Sequence, residues 1–293
     1  MSLNSPDNRV IPHLLAIASV SIWGLTFVST KMLIGAGLTP VEIFFYRFLL
    51  AYICILFVAH RRLWSDNLRD ELLMVAAGLS GGSLYFIAEN TALGITYASN
   101  VSLIICTASI FTMLFARLFF KTPLRRGMLA GSLIALAGVA MVVFNGSVKM
   151  GINPAGDLLT LIAAILWALY CIILKVAGKR YTTLFITRKV FFYGILSVAG
   201  YIMVSRQDLR LHLLMQPVVY ANILFLGLLA SMLCYIMWNS ALKSLGAEYT
   251  ANYIYVVPLV TIIASVIILA EPFTLLTAAG TACILGGVYL AER

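Results

Sequence analysis

Charge is what this 293-residue sequence has least of. Asp, Glu, Lys and Arg make up 11% of it, against about 25% in a typical soluble domain. Hydrophobic residues supply 62%, and the mean hydropathy is +1.01. No soluble core absorbs that much apolar surface, so the composition predicts an integral membrane protein. Histidine is scarce too: His60 and His212 fall outside the apolar runs, and His13 stands at the very start of the first. There is no HExxH and no pair of aspartates inside an apolar run, and the GxSxG spacing of "GLSGG" at 78–82 has no histidine deep in any run to serve it, so an intramembrane enzyme has little motif to stand on. "GLSGGS" at 78–83 lacks the Lys of a phosphate loop; without an ATP motif, energy must come from gradients. Neither a selectivity-filter sequence nor a ring-forming acidic run marks a channel. Cys54, Cys106, Cys171, Cys234 and Cys283 sit in apolar runs without metal spacing and read as small packing residues. No metal and no cofactor is expected.

What charge there is has a pattern. The net +9 comes from short basic clusters between apolar runs rather than from a stripe or tail, which fits loop charge and not nucleic-acid binding. A spanning helix needs about 20 mostly apolar residues. The runs near 12–34, 40–58, 71–93, 98–119, 126–144, 156–176, 182–203, 218–242, 247–269 and 275–291 meet that need. Only Arg9 precedes the first run, which is too long for a signal core, so it is expected to stay as a helix. With the N-terminus inside, thirteen Lys and Arg fall on the cytoplasmic side and four on the other, with Arg47, Arg188 and Lys189 within spans. Both termini are then cytoplasmic.

The chain also repeats itself. "SIWGLTFVSTK" at 21–31 is echoed by "ILWALYCIILK" at 165–175; at this offset of 144, Trp23 meets Trp167 and Lys31 meets Lys175. At an offset of 149, "LYFIAENTAL" (84–93) meets "LCYIMWNSAL" (233–242), aligning Asn90 with Asn239. The same offset pairs Pro123 with Pro272, Gly131 with Gly280 and Gly138 with Gly287. Pro, Asn and Gly are not generic lipid-facing residues, so a duplication is the better account. Five spans per copy is an odd number, and the second copy must enter the membrane upside down. The expected fold is an all-α membrane protein of ten transmembrane helices as two inverted five-helix repeats, residues 1–147 and 148–293.

These segments carry a resemblance. "SIWGLTFVSTK", Arg47 in "FFYRFLLAYI", and "NYIYVVPLVTIIASVIILAEPFTLLTAAGTACILGGVYL" at 252–290 look like the EamA family of the drug/metabolite transporter superfamily. The likeness covers nearly the whole chain. It is most specific at Pro258, Glu271-Pro272 and the spacing from Gly280 to Gly287. It departs where "CTASIF" has no proline matching Pro258 and where "KTP" replaces the glutamate of "AEP". The resemblance implies export of small metabolites, often amino acids, by alternating access, in a bacterial inner membrane. A drug or nucleotide-sugar carrier of the same fold is the alternative. Expected partners are a small-molecule substrate and the bilayer, not nucleic acid. Proton coupling stays open, as does the choice between a monomer and a weak homo-oligomer.

Candidate site residues follow from depth and polarity. Trp23 lies 11 residues into its span, about 16 Å deep, and Trp167 matches it; interfacial tryptophans sit at span ends instead. Either packing or pocket lining accounts for them. Tyr85, Tyr235, Tyr253 and Tyr255 are further candidates for substrate contact. Pro258 is another, since it frees a backbone carbonyl. Asn90 and Asn239 suit substrate binding or interhelical hydrogen bonding. Lys31, Arg47 and Glu89 fall in the outer third and Lys175 at the inner mirror. An unpaired charge there costs about 2.5–3.5 kcal/mol, so Glu89 should pair with Arg47 or Lys31, as a gate or coupling site. Trp238 stands where a second Glu89 would be. Gly127, Gly131, Gly280, Gly286 and Gly287 should allow close helix packing. With fixed charge expected only towards the mouths, the ligand at mid-depth should be small and neutral overall, as a zwitterionic amino acid is.

Overall fold

In the computed structural model, residues 7–60, 62–95, 98–121, 126–144, 154–269 and 275–292 are described, and the described residues are helical throughout apart from short turns. The boundary near 147, Pro123, Lys149 and the Glu271-Pro272 pair lie outside them. Six helices are long and apolar enough to cross a membrane: Val10–Gly35, Pro40–Val58, Leu68–Ile95, Leu158–Ala177, Thr183–Ser205 and Pro217–Leu245. Ala108–Phe120, Gly127–Gly138, Tyr249–Ala264 and Ala278–Gly287 are shorter apolar helices. The protein is an all-helical integral membrane protein.

Local chemistry sets the ends. Helix α1 (Asp7–Gly35) turns through Gly37, whose φ of +102° an L side chain rarely adopts. Helix α2 (Pro40–Val58) then opens with a capping box. Thr39 accepts from the Glu42 N–H, Glu42 accepts back from the Thr39 N–H, and Pro40 takes the first helical position. Asn67 caps α3 (Leu68–Gly78), which runs through a π-helical turn (Leu79–Ser83) into α4 (Leu84–Ile95). Then come α5 (Ala98–Ile105), α6 (Ala108–Phe120) and α7 (Arg126–Phe144). Beyond them lie α8 (Pro154–Ala177) and α9 (Thr183–Ser205), the latter capped by Thr182. Helix α10 (Pro217–Leu224) passes through a longer π-helical stretch (Phe225–Leu233) into α11 (Cys234–Leu245). The chain closes with α12 (Ala247–Asn252), a 3-10 turn (Tyr253–Val256), α13 (Val257–Leu269) and α14 (Leu275–Glu292).

Two expected continuous spans are broken. The run at 247–269 breaks at its 3-10 turn because Pro258 has no N–H to bond Ile254. That carbonyl does not wait for substrate: the Val257 N–H and the Cys106 thiol (3.7 Å) approach it. The run at 98–119 breaks at Cys106-Thr107 without any proline. There side chains compete for the backbone, with Cys106 Sγ donating to Ser102 O (3.2 Å), Thr107 Oγ1 to Ile104 O (2.6 Å) and Ser109 Oγ to Cys106 O (3.0 Å). The Tyr255 hydroxyl and Ser109 hydrogen-bond across the two breaks.

Helices α7 and α14 pack at glycine distance. A Cβ on Gly138 would stand 2.6 Å from Gly280 O, and one on Gly287 2.6 Å from Gly131 O. The expectation fails for Gly286, whose Cβ direction is empty. The core is aromatic. Phe44, Phe48, Phe191, Tyr170, Tyr235 and Trp238 are fully buried where α2, α8, α9 and α11 meet.

Candidate functional site

A cavity opens beside this core. It is lined by Trp23, Thr26 and Phe27 from α1, Arg47 from α2, Tyr85, Phe86 and Glu89 from α4, Ile105 from α5 and Trp167 from α8. Ile254 and Val257 complete it at the second helix break. Trp23 and Trp167 meet edge to face, ring centroids 5.2 Å apart. Trp238 closes on Trp23 at 5.1 Å, and Tyr85 on Trp167 at 5.1 Å. The Trp23 indole N–H is committed to Ala230 O at 2.8 Å. The Trp167 N–H has no hydrogen-bond partner among the described residues, although its side chain is buried. An unmade hydrogen bond on a buried donor costs about 1–3 kcal/mol, and this one belongs to a residue of the cavity lining.

The charges differ from expectation. Arg47 does not stay at a mouth apart from the aromatics; it lines the same cavity, as does Glu89, and they are 1% and 6% exposed. Nor are they in ion-pair contact with each other among the described residues. Arg47 Nε donates to Ser231 Oγ at 2.9 Å, and its guanidinium lies over the Phe86 ring at 4.4 Å. Glu89 accepts from the Tyr85 hydroxyl at 2.9 Å. Each charge is held by neutral groups.

The remaining candidates do not line this cavity. Tyr235 is buried with its hydroxyl bonded to Gly81 O, and Tyr255 is held by Ser109. Tyr253 hydrogen-bonds His13 across to α1. Asn239 accepts from Tyr170 (2.9 Å) and donates to Thr187 (2.8 Å), which makes it interhelical glue. Asn90 donates to Pro40 O at 3.2 Å, and Pro258 is buried in α13. Lys31 lies outside this lining, and Lys175 places its Nζ 4.7 Å from the Phe120 ring. The sequence reading missed Thr26, Phe27, Phe86, Ile105, Ile254 and Val257. Helical spacing could have found the first three: Thr26 and Phe27 follow Trp23 by three and four, and Phe86 precedes Glu89 by three.

Both ends of the bundle around the cavity are tied. At one, Arg180 donates to both Asp70 oxygens at 3.1 Å, Tyr181 donates to Asp70 at 2.9 Å, and Lys189 pairs with Glu71. Tyr181 sits in the turn between α8 and α9, and burial holds its phenol pKa above the ordinary value. At the other, Glu42 accepts from the Arg210 N–H at 2.7 Å and Gln207 donates to Thr39 at 2.8 Å.

A helical bundle in a membrane, tied at both ends around a charged aromatic cavity, is the architecture of a small-molecule carrier. The chain belongs to the EamA-like transporter family, which matches residues 10–144 and again 154–292. An uncharacterized transporter of Archaeoglobus fulgidus is 29% identical over 95% of this chain and 96% of its own. A protein of Salmonella typhimurium described as a probable amino-acid metabolite efflux pump is 26% identical over 94% and 93%. A probable terminal-alkyne amino-acid exporter of Streptantibioticus cattleyicolor is 26% identical over 77% and 74%. A crystal structure of 18% sequence identity shares the fold with a TM-score of 0.72, over 96% of this chain and 98% of that one.

Proposed function

We propose that this transporter exports amino acids or related zwitterions by alternating access across a bacterial inner membrane. The observation that carries the substrate reading is the pair Arg47 and Glu89 on one cavity, neither in salt-bridge contact with another side chain among the described residues. A zwitterion brings a carboxylate and an ammonium together and answers both buried charges at once. Phe27, Phe86, Ile105 and Val257 offer the side chain an apolar wall. A nucleotide sugar would meet one guanidinium and a repelling carboxylate, and an apolar drug would leave both charges unanswered. Glu89 is the acid through which proton coupling would run, in a monomer or a weak homo-oligomer.

The frame in this reading is ten spans in two inverted halves, residues 1–147 and 148–293, with both termini cytoplasmic. The double family match supports it. So do the helix bounds: an offset of 149 lays Leu68–Ile95 on 217–244, against Pro217–Leu245, and Ala108–Phe120 on 257–269, against Val257–Leu269. It also lays the π turn of 79–83 on 228–232, inside the second π stretch. The contact of Gly138 with Gly280 O has its counterpart in Gly287 with Gly131 O. Trp23 and Trp167, and Ile105 and Ile254, line the cavity from equivalent positions, as a site between repeats requires.

The test is transport by purified protein in proteoliposomes, with and without a pH gradient. Amino acids with apolar side chains should show saturable transport, inhibited by other zwitterions but weakly by the matching amine or carboxylic acid alone. Carriage of nucleotide sugars with no response to amino acids would overturn the substrate reading and leave the fold standing.

A further inference from the structure

A second pocket lies at the end of the bundle where α2 finishes and α9 begins. It is lined by Tyr52, Leu63, Trp64, Arg188, Lys189 and Phe192. Arg188 and Lys189 are each 2% exposed. Arg188 stands five residues past Thr183, about 8 Å along the helix axis, a depth that belongs to the headgroup region of a bilayer. Lys189 is neutralised by Glu71 and stacks over the Trp64 ring at 4.4 Å. Arg188 has no carboxylate partner among the described residues. It donates instead to the carbonyls of Ala59, Arg62 and Leu63. Those bonds use three of its five N–H groups and leave the Nε–H and one Nη1–H; Lys189 keeps two of its three. The pocket therefore carries one net positive charge and spare donors, out of water. Beside it the surface is greasy: Leu63 and Trp64 are exposed, as are Phe57 and Val58 on the last turn of α2.

We propose that this pocket binds the phosphodiester headgroup of an anionic phospholipid. One phosphate balances the Arg188 charge, and its acceptor oxygens suit a remaining guanidinium N–H and the Lys189 ammonium. The exposed apolar residues around it are wetted by acyl chains rather than by water, which favours a lipid over free phosphate. The site is separate from the transport cavity and does not depend on the substrate reading.

Trp64 is the reporter. The full-length protein is placed in vesicles of phosphatidylcholine doped with brominated phosphatidylglycerol or, at equal mole fraction, brominated phosphatidylcholine. The Trp64→Phe variant defines the Trp64 share of the fluorescence. Quenching of that share should be stronger with the anionic lipid, by about fivefold in apparent affinity for one answered charge. The preference should persist in added inorganic phosphate, vanish in Arg188→Gln, and survive Arg69→Gln, which removes an equal charge from the exposed first turn of α3. Equal quenching by both lipids in the wild-type protein overturns the proposal, whether or not Arg188→Gln folds. So does loss of the preference in inorganic phosphate, which would assign the pocket to the free anion. Loss in Arg69→Gln would overturn it as well, by making the effect one of general surface charge.

Discussion

Replacing Glu89 with Gln removes one negative charge from the cavity wall and little else. The amide oxygen still accepts the hydrogen bond that Tyr85 donates at 2.9 Å, so shape and local order survive. What goes is the charge assistance to a substrate ammonium. A hydrogen bond to a charged group contributes about 1.5–3 kcal/mol and a neutral one about 0.5–1.5. The loss of about 1–1.5 kcal/mol corresponds to a KM raised roughly five- to tenfold. Counterflow of a radiolabelled amino acid in proteoliposomes reads that number directly. The same variant should handle the carboxylic acid that lacks the ammonium no worse than wild type, since no ion pair is lost. Arg47→Gln should show the mirror pattern, sparing the decarboxylated amine. Its general loss should be larger, because the guanidinium also holds Ser231 and covers Phe86. An unchanged KM for the zwitterion in Glu89→Gln, with folding verified by gel filtration and melting, would refute the two-charge site.

Trp167→Ala should weaken amino-acid transport at least tenfold while Leu285→Ala, on an exposed face of α14, leaves it near wild type. Trp167→Phe, which keeps a ring but loses the unpartnered donor, should fall between them in KM. Gly287→Ala should lower the melting temperature by the equivalent of about 1–3 kcal/mol, because its Cβ would meet Ala135 N at 2.5 Å. Gly286→Ala should hold or raise it; equal effects at the two positions would contradict the α7–α14 seam. In a background stripped of its five cysteines, a cysteine at Gly37 should label from outside with an impermeant thiol reagent and one at Arg62 should not. Labelling of both from one side would break the alternation on which the inverted frame rests.

The helix boundaries were the most legible feature, because breakers mark them: Pro40 behind Thr39, Asn67 before Leu68, and Gly246 between α11 and α12. The break at Cys106-Thr107 was not, since hydrophobicity scores a Cys-Thr-Ala-Ser cluster as tolerable within a span. Its signal is chemical: several short donors in one turn can take carbonyls from the ladder. Trp23 and Trp167 were legible as a pair from their spacing, yet either packing or lining accounted for them. Arg47 was misjudged because depth was counted along its own helix. Seven residues past Pro40 is about 10 Å, and a long side chain carries its guanidinium over the Phe86 ring. Asn239 illustrates the opposite error. A polar residue at mid-depth suggested a ligand, but Tyr170 and Thr187 already satisfy it.

In the two-repeat reading, the halves differ in charge. The counterpart of Glu89 is Trp238, and the counterpart of Arg47 at the offset of 144 is Phe191. In the carrier reading both fixed charges then travel with the first half. The ends differ too. At the Asp70 end, opening must part Arg180 from Asp70, Lys189 from Glu71 and Arg188 from three carbonyls. At the Glu42 end it must part Glu42 from a backbone N–H, Gln207 from Thr39, and Arg210 from the Gly37 carbonyl. Equal halves alone would make the two facing states equal in energy; unequal ties do not. The ion pairs load the Asp70 end, so the empty carrier should rest closed there and open first at Glu42. A zwitterion that answers Arg47 and Glu89 relieves a cost present in either state. The bias therefore has to come from the ends rather than from the cavity, and weakening it at Asp70 should change the resting orientation while leaving substrate preference alone.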